Sequence, residues 1–366
     1  MREEVTVSLE KALALRDRGA LLVDVRTPTE FAAGSIPGAV NVPIFTDEER
    51  AEVGTLYKCQ GRQAARHLGV HLVAPKIPEL IGQVEEAWEA AGRGAIVVFC
   101  WRGGMRSKAL TSFLQLAGLP ARQLVGGHKA FRSLVRDFFE RGEWGRLLVL
   151  RGLTGVGKTR LLKELAAEGY PVLDLEDLAG HRGSAFGGLG LAAQPSQKQF
   201  EALLWDEMRK IPPDGYALSE GESRHIGRLI LPLRVYEALQ VETSLWIEAS
   251  LDVRARVILE DYPARAALRD AFIPPIKALR QRLGAEVVER FLELLAAEEW
   301  EALARELMLR YYDPLYGHTK PERRVVIAID EPGGAAMLRR AISELLAHPP
   351  RERMDAPPPR VSFSFQ

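Results

Sequence analysis

The chain has 366 residues, 47% hydrophobic and 27% charged, with 49 basic residues balancing 49 acidic ones. This composition excludes disordered and fibrous classes, and the length suits two domains of about 100–200 residues, each able to bury its own core. Zero net charge excludes a uniformly basic nucleic-acid binder, so any nucleic-acid contact has to rest on local clusters.

The opening Met1-Arg2-Glu3-Glu4 is acidic where a secretory signal is basic, and no apolar run approaches the roughly 20 residues that span a bilayer. Neither export nor membrane insertion is expected; a cytoplasmic location is. Short aliphatic runs then alternate with longer amphipathic stretches, the pattern of parallel sheets with helical crossovers, so an α/β class is expected throughout. Strands are expected at 21–25, 95–99 and 123–125, with helices near 8–18, 47–68, 77–92, 107–117 and 128–140. The stretch Glu140-Arg-Gly-Glu-Trp144-Gly145 interrupts the pattern, which bounds a first domain at 1–141. A second domain, 142–346, carries expected strands at 146–150, 171–174, 216–220, 244–249 and 324–329. Its expected helices lie at 158–168, 195–210 and 231–240, followed by a largely helical block from about 252 to 310. The Pro-rich segment 347–366 lacks apolar periodicity and is expected to be a flexible tail.

Two cysteines cannot build a disulfide framework or a cysteine-rich zinc site, and no metal centre is expected. Cys59, in Tyr57-Lys-Cys-Gln-Gly61, reads as structural, with a second reactive thiol as the alternative. Cys100 follows the strand Ala95-Ile-Val-Val-Phe99 and opens Cys100-Trp-Arg-Gly-Gly-Met-Arg106-Ser107, after which helical periodicity begins. A thiol between a strand end and a helix N-terminus meets unpaired amides and the helix dipole, which stabilise an anion. Gly103 and Gly104 let those amides turn inward as a nest, and Arg102 and Arg106 add guanidinium charge. Cys100, Arg102 and Arg106 are therefore the candidate catalytic residues, and the bland alternative is a buried core thiol.

The first 140 residues resemble the rhodanese family of sulfurtransferases. The resemblance rests on Leu22-Val-Asp24-Val-Arg26-Thr-Pro28-Thr-Glu30-Phe31 and Gly34-Ser-Ile-Pro37-Gly38-Ala-Val-Asn41-Val-Pro43, followed by the cysteine loop. The loop departs from ordinary rhodaneses in its C-x5-R spacing, which resembles the rhodanese-like dual-specificity phosphatases. A cradle of that size suits a donor bulkier than sulfane sulfur, such as selenophosphate or thiophosphate.

The second domain opens with Leu147-Leu-Val-Leu150 running into Gly152-Leu-Thr-Gly155-Val-Gly157-Lys158-Thr159 and then a helical stretch. This is G-x-x-x-x-G-K-[ST] in strand–loop–helix context, so a P-loop NTPase-like parallel-sheet domain is expected. Gly152, Gly155, Gly157, Lys158 and Thr159 are the phosphate-binding candidates: backbone amides surround a di- or triphosphate, Lys158 reaches its outer oxygens, and Thr159 is the candidate magnesium contact. A hydrolysing site also needs an acidic residue after a second strand. Asp174, Glu176, Asp177 and Glu220 are candidates, although neither segment is a clean apolar run ending in acids. The glycine-dense stretch Gly180-His-Arg182-Gly-Ser184-Ala-Phe186-Gly-Gly188-Leu-Gly190 is expected to be a functional loop. In it His181, Arg182 and Ser184 are candidate phosphate or RNA-backbone contacts, with ordinary surface polarity as the alternative for His181, and Phe186 is a candidate contact to a base or to an apolar chain. Glu220 and Arg224 follow a strand end, where α/β sheets hold ligands.

Both parts together resemble the tRNA 2-selenouridine synthases. Further matches are Asp47-Glu-Glu-Arg50-Ala-Glu-Val-Gly54-Thr-Leu-Tyr57-Lys, Gly126-Gly127-His-Lys-Ala-Phe131-Arg132, Glu220-Gly-Glu-Ser-Arg224-His-Ile-Gly227 and Tyr311-Tyr-Asp-Pro314-Leu-Tyr316. His128 stands where tyrosine is expected. The resemblance implies transferase activity on 2-thiouridine at the tRNA wobble position: S-geranylation from geranyl diphosphate, then replacement of the S-geranyl group by selenium from selenophosphate, through Cys100. Two routes stay open for the second stage. Cys100 attacks the selenium and carries it as a perselenide, or selenophosphate attacks directly while Cys100 positions it. The implied co-substrates are selenophosphate and geranyl diphosphate, with magnesium as a candidate ion and no bound redox cofactor. The implied partners are tRNA and, as supplier of the donor, selenophosphate synthetase. For the tRNA backbone, the basic residues between Arg254 and Arg282, Arg265 and Arg269 among them, lie at helical spacing, with a solvated helix face as the alternative. Three other classes stay in view: a P-loop kinase or ATPase with a regulatory rhodanese module, a cysteine phosphatase or sulfurtransferase acting on another acceptor, and a non-catalytic binding module.

Overall fold

The computed structural model describes residues 5–262, 265–317 and 320–348. The expected tail, apart from Ala347 and His348, lies outside them. The chain divides into two compact units: residues 1–142 with 195–206, and residues 143–194 with 207–366.

In the first unit the elements run β1 (Thr6–Val7), α1 (Leu9–Arg16), β2 (Leu21–Asp24), α2 (Pro28–Ala32), β3 (Val40–Asn41), α3 (Asp47–Val73), α4 (Ile77–Ala90), β4 (Ile96–Phe99), α5 (Met105–Leu116), β5 (Ala121–Leu124) and α6 (Gly127–Arg141). All strands are parallel, in the order β1-β5-β4-β2-β3. The central strand β4 is buried along its whole length, as an all-aliphatic run covered on both faces must be. Helix starts follow local chemistry: Thr27 with Glu30 and Thr46 with Glu49 form capping boxes ahead of α2 and α3. The helix expected at 47–68 extends to Val73, and Gly61, at φ 85° and ψ −175°, breaks it internally. The short strands β1 and β3 carry too few residues to show a periodicity and were not expected.

The second unit begins with β6 (Arg146–Gly152), α7 (Lys158–Ala167), β7 (Val172–Leu173) and α8 (Leu175–Ala179). Helix α9 (Gln197–Met208) then precedes β8 (Tyr216–Glu220), the hairpin strands β9 (His225–Ile226) and β10 (Leu229–Ile230), α10 (Leu233–Val241) and β11 (Ser244–Glu248). The expected helical block resolves into α11 (Leu251–Asp261), α12 (Arg269–Ala278), α13 (Arg280–Leu283), α14 (Ala285–Ala296) and α15 (Trp300–Leu307). A π turn over Met308–Tyr312, α16 (Asp313–Gly317), β12 (Arg324–Ala328) and α17 (Gly334–Ala347) complete it. The sheet order is β12-β11-β6-β8-β7, all parallel, so the strand that feeds the phosphate loop is central and the chain fills the sheet on opposite sides of it. Such a reversal opens a crevice at the strands' carboxyl ends. The helical block has its own core around Phe272, Ile276, Phe291 and Leu295.

One segment departs from the domain expectation. Residues 195–206, which include most of α9, belong to the first unit although they follow β7 in sequence. There Ser35 N donates to Gln199 Oε1 at 2.8 Å, Arg132 pairs with Glu201 at 2.6 Å, Arg16 pairs with Asp206 at 2.6 Å, and Phe131 meets Trp205 edge-on. An amphipathic stretch announces that it has an apolar face but not which core covers it.

Candidate functional site

In the first unit Cys100 leaves the C-terminal end of β4 and its loop closes on the N-terminus of α5. The thiol is buried. Gly104 N donates to Sγ at 3.2 Å, and Ser107 Oγ lies 3.2 Å from Sγ. Gln123, from β5, donates through Nε2 to Gly103 O at 2.8 Å, Gly104 O at 3.0 Å and Ser107 Oγ at 2.9 Å. One buried amide thus ties the loop's turn, its helix and the hydroxyl beside the sulfur. Gly103 sits at φ 64° and Gly127 at φ 56°, and a Cβ on Gly127 would stand 2.2 Å from Cys100 O. Here glycine is required by space as well as by dihedral.

Arg102 is exposed, as an anion contact at the loop rim would be. Arg106 is instead paired with Glu30, Nη1 to Oε2 at 2.5 Å and Nη2 to Oε1 at 3.2 Å, so its guanidinium is held in a fixed orientation by α2. Burial raises the Glu30 carboxyl, and the hydrogen bond and charge of Arg106 outweigh that, leaving it below the ordinary carboxylate range. His128 is 2% exposed, donates its amide to Cys100 O at 2.9 Å, and has both ring nitrogens buried without a partner. Desolvation, aided by the charges of Arg26, Arg132 and Lys198, depresses its pKa to about 3, so the ring is neutral. Cys59 is not a core residue: it is exposed on α3.

In the second unit β6 delivers Gly152 to the loop and α7 begins at Lys158, after Gly157 in the left-handed region at φ 80°. A Cβ on Gly155 would stand 2.7 Å from Arg254 O, at the start of α11. Arg254 was expected in the tRNA-facing stripe; it is buried. Its Nε donates to Thr154 O at 2.8 Å, and its Nη atoms pair with Asp313 at 2.5 and 3.0 Å. This arginine braces the phosphate loop from behind. Thr159, the expected magnesium contact, donates its hydroxyl to Glu176 Oε2 at 3.1 Å.

Three glutamates cluster near the phosphate loop, and two of them, Glu176 and Glu222, feel the charge of Lys158. Glu220 is fully buried; one oxygen accepts Leu175 N at 3.1 Å and the other has no partner. Burial, reinforced by Asp174 and Glu176, holds its carboxyl well above the ordinary range. Glu222 shares a hydrogen bond with Glu176 and is pushed up to about 7, chiefly by burial and then by that neighbour. Burial also raises Glu176, against the opposing pull of Lys158 and Thr159. Glu222, whose carboxylate fills the space where a Cβ on Gly183 would go, was not among the expected site residues. Its sequence spacing carries no signal, because the neighbours that matter come from α8 and from the glycine-dense loop.

That loop is more structural than expected. Phe186 is buried and stacks on Phe272 at 5.9 Å, so it is not an exposed base contact. Arg182 lies 4.6 Å over the Tyr262 ring and donates to Leu189 O at 2.9 Å, and Ser184 hydrogen-bonds Tyr262. Arg265 donates to Leu259 O at 2.9 Å and Tyr262 O at 3.3 Å, satisfying carbonyls at the end of α11 rather than facing a phosphate backbone. Arg224 and Arg269 are exposed. A cavity of about 70 Å³ borders the phosphate loop at Thr154, walled by Phe186, Leu259, Phe272, Leu307 and Tyr312.

Known proteins show the same two-part arrangement. A rhodanese-like domain profile matches residues 8–134, and the profile described as "tRNA 2-selenouridine synthase AAA domain" matches residues 145–340. A protein of Nitrosomonas europaea named tRNA 2-selenouridine synthase is 33% identical, with 90% of this chain and 97% of the relative aligned. The chain belongs to the tRNA 2-selenouridine synthase family. Other synthases of the family include those of Pseudomonas fluorescens, 33% identical over 89% of this chain and 95% of the relative, and Bdellovibrio bacteriovorus, 42% identical over 66% and 64%. As a member of that family the chain is a tRNA-modifying enzyme of rhodanese and P-loop parts. Among the described residues no helix is long and apolar enough to cross a membrane, and no group of three or more His, Cys, Asp or Glu side chains is arranged to hold a metal ion.

Proposed function

We propose that this synthase works in two stages on 2-thiouridine at the tRNA wobble position. The phosphate loop of the second unit binds geranyl diphosphate for S-geranylation; the Cys100 loop of the first unit serves the exchange of the S-geranyl group for selenium from selenophosphate. The carrying observation is that each unit joins its central strand to a helix N-terminus through a glycine-containing loop suited to an anion, Cys100–Arg106 after β4 and Gly152–Thr159 after β6. Two cradles match the two anions released, diphosphate and phosphate. The apolar wall bordering Thr154 offers hydrocarbon contact beside the phosphate loop, and its cavity of about 70 Å³ is large enough for only part of a ten-carbon tail. Alkylation has a clear purpose, since it turns a thione sulfur into a thioether that can depart as geranylthiol.

Electron counting decides between the two routes left open by the sequence. Selenophosphate carries selenium as selenide on P(V). Thiolate attack on that selenium with release of phosphate would leave two electrons without an acceptor, so a perselenide on Cys100 needs an oxidant that neither co-substrate supplies. Attack on C2 by the selenium of selenophosphate balances: the C2–Se bond forms, the C2–S bond breaks, and the electron pair leaves with geranylthiolate. The perselenide expectation is therefore set aside. Selenophosphate synthetase would supply the donor. Arg224 and, in the expected basic stripe, Arg256, Arg269, Lys277, Arg280 and Arg282 are exposed and remain the candidates for the tRNA backbone.

A second reading, a nucleotide-hydrolysing P-loop, is favoured by the glutamates beside Lys158. One experiment separates the two: purified protein, thiolated tRNA, geranyl diphosphate and selenophosphate are combined without ATP, and the wobble nucleoside is read by mass spectrometry. Full conversion to 2-selenouridine is expected. Turnover that requires ATP and fails with a non-hydrolysable analogue refutes the prenyl diphosphate assignment.

A further inference from the structure

We infer that Cys100 is a phosphoryl acceptor: it takes the phosphoryl group off selenium after selenium has bonded to the uridine, and hands it to water. The inference rests on the two-stage reading. Addition through selenium leaves a C2–Se–phosphoryl adduct, and 2-selenouridine forms only when its Se–P bond is cut. The Cys100 thiolate attacks phosphorus, the S–P bond forms, the Se–P bond breaks, and the electron pair goes to selenium. Water then attacks phosphorus, the O–P bond forms, the S–P bond breaks, and the pair returns to Sγ as phosphate leaves with the water's protons. No oxidant or reductant enters. A selenium–sulfur carrier would need a resolving thiol, and the chain's other cysteine, Cys59, is an exposed residue of α3.

The loop is built for phosphorus. Sγ accepts Gly104 N–H at 3.2 Å, and the first amides of the 12-residue α5 have no helical carbonyl a turn behind them, so they are available to phosphoryl oxygens. Arg106, six residues after the thiol, has its guanidinium oriented by Glu30 at 2.5 and 3.2 Å. Ser107 is fully buried with Oγ 3.2 Å from Sγ and 3.2 Å from Gly104 O. Because Gln123 Nε2 already donates to that oxygen, the hydroxyl proton is free to swing to sulfur as charge returns there. Ser107 is thus the positioning residue for the second half-step, and Gln123 sets its orientation. His128 fixes the loop from its other side, donating its backbone amide to Cys100 O at 2.9 Å and placing its ring 5.6 Å from that of Trp101.

The test starts from S-geranylated tRNA and selenophosphate. With Cys100→Ala the S-geranyl group should disappear while the Se-phosphoryl nucleoside accumulates and 2-selenouridine is lost. Ser107→Ala should keep the first-turnover burst but slow the steady state by about 10- to 100-fold, the worth of one charge-assisted hydrogen bond, and Ser107→Thr should restore it. Rapid quenching of Ser107→Ala should trap a Cys100 peptide carrying phosphorus, recognised by the absence of selenium's many-isotope envelope. Thermal melting and circular dichroism of each variant separate loss of chemistry from loss of fold. Selenium on Cys100, an intact S-geranyl group in Cys100→Ala, or burst and steady state slowed alike in Ser107→Ala would each overturn the inference. Wild-type protein that leaves S-geranylated tRNA unchanged would instead overturn the two-stage reading beneath it.

Discussion

Arg254 offers the sharpest check on how the phosphate loop is held. Its side chain is 5% exposed and pairs with Asp313, which is 23% exposed, while its Nε supports Thr154 O. Removing one partner of a fully buried pair costs about 3–5 kcal/mol, because the other charge is stranded. Asp313 keeps some water, so Arg254→Met should fall at the lower end, about 3 kcal/mol, in the unfolding transition of the second unit. Asp313→Asn keeps an acceptor facing the guanidinium and should cost only about 1–2 kcal/mol. The double variant should therefore be less destabilised than the sum of the singles by 1 kcal/mol or more, roughly the coupling of a contacting pair. Urea unfolding followed by circular dichroism supplies the stabilities, and calorimetric titration with inorganic diphosphate supplies the functional arm. Arg254→Met should weaken diphosphate more than Asp313→Asn does, since only the arginine touches the loop. A cost below about 0.5 kcal/mol, or strict additivity, would refute the bracing role.

Lys158→Ala should weaken diphosphate binding by roughly 1.5–3 kcal/mol and abolish geranylation before it affects selenium exchange, as seen by supplying pre-geranylated tRNA. Glu222→Gln should flatten the pH dependence of stability. The folded carboxyl, raised to about 7, holds its proton more tightly than the unfolded one, so its stabilising contribution is complete below the ordinary carboxylate value of 4.5 and lost as pH rises through about 7. Melting curves should thus show the variant gaining on wild type between pH 5 and pH 8, by up to about 2–3 kcal/mol; no differential gain would refute the raised Glu222 carboxyl. Gly127→Ala, whose Cβ would meet Cys100 O at 2.2 Å and Gly103 N at 2.5 Å, should destabilise the first unit by about 2 kcal/mol or more. Gly104→Ala, with no atom within 4 Å of its Cβ, should leave melting nearly unchanged.

Much of this protein is local and could be read in order along the chain. The aliphatic runs that became β4 and β6, the glycines and lysine of Gly152–Lys158, and the strand–cysteine–helix passage at Cys100 each depend on neighbours a few residues away, so periodicity and turn chemistry determined them. What needed the tertiary structure were the groups set by residues far apart in sequence. Gln123 reaches the Cys100 loop from β5, Glu30 reaches Arg106 from α2, and Arg254 joins Thr154 to Asp313 across 100 and 59 residues. The same distance explains the departures. Arg254, Arg265, Arg182 and Phe186 look like surface residues of a nucleic-acid binder when taken singly, yet burial assigned them to carbonyls, carboxylates and rings that strand order and helix packing bring to them. A charged side chain shows its valence in the sequence, but its partner is chosen only when the fold removes it from water and the cost of leaving it unpaired becomes large.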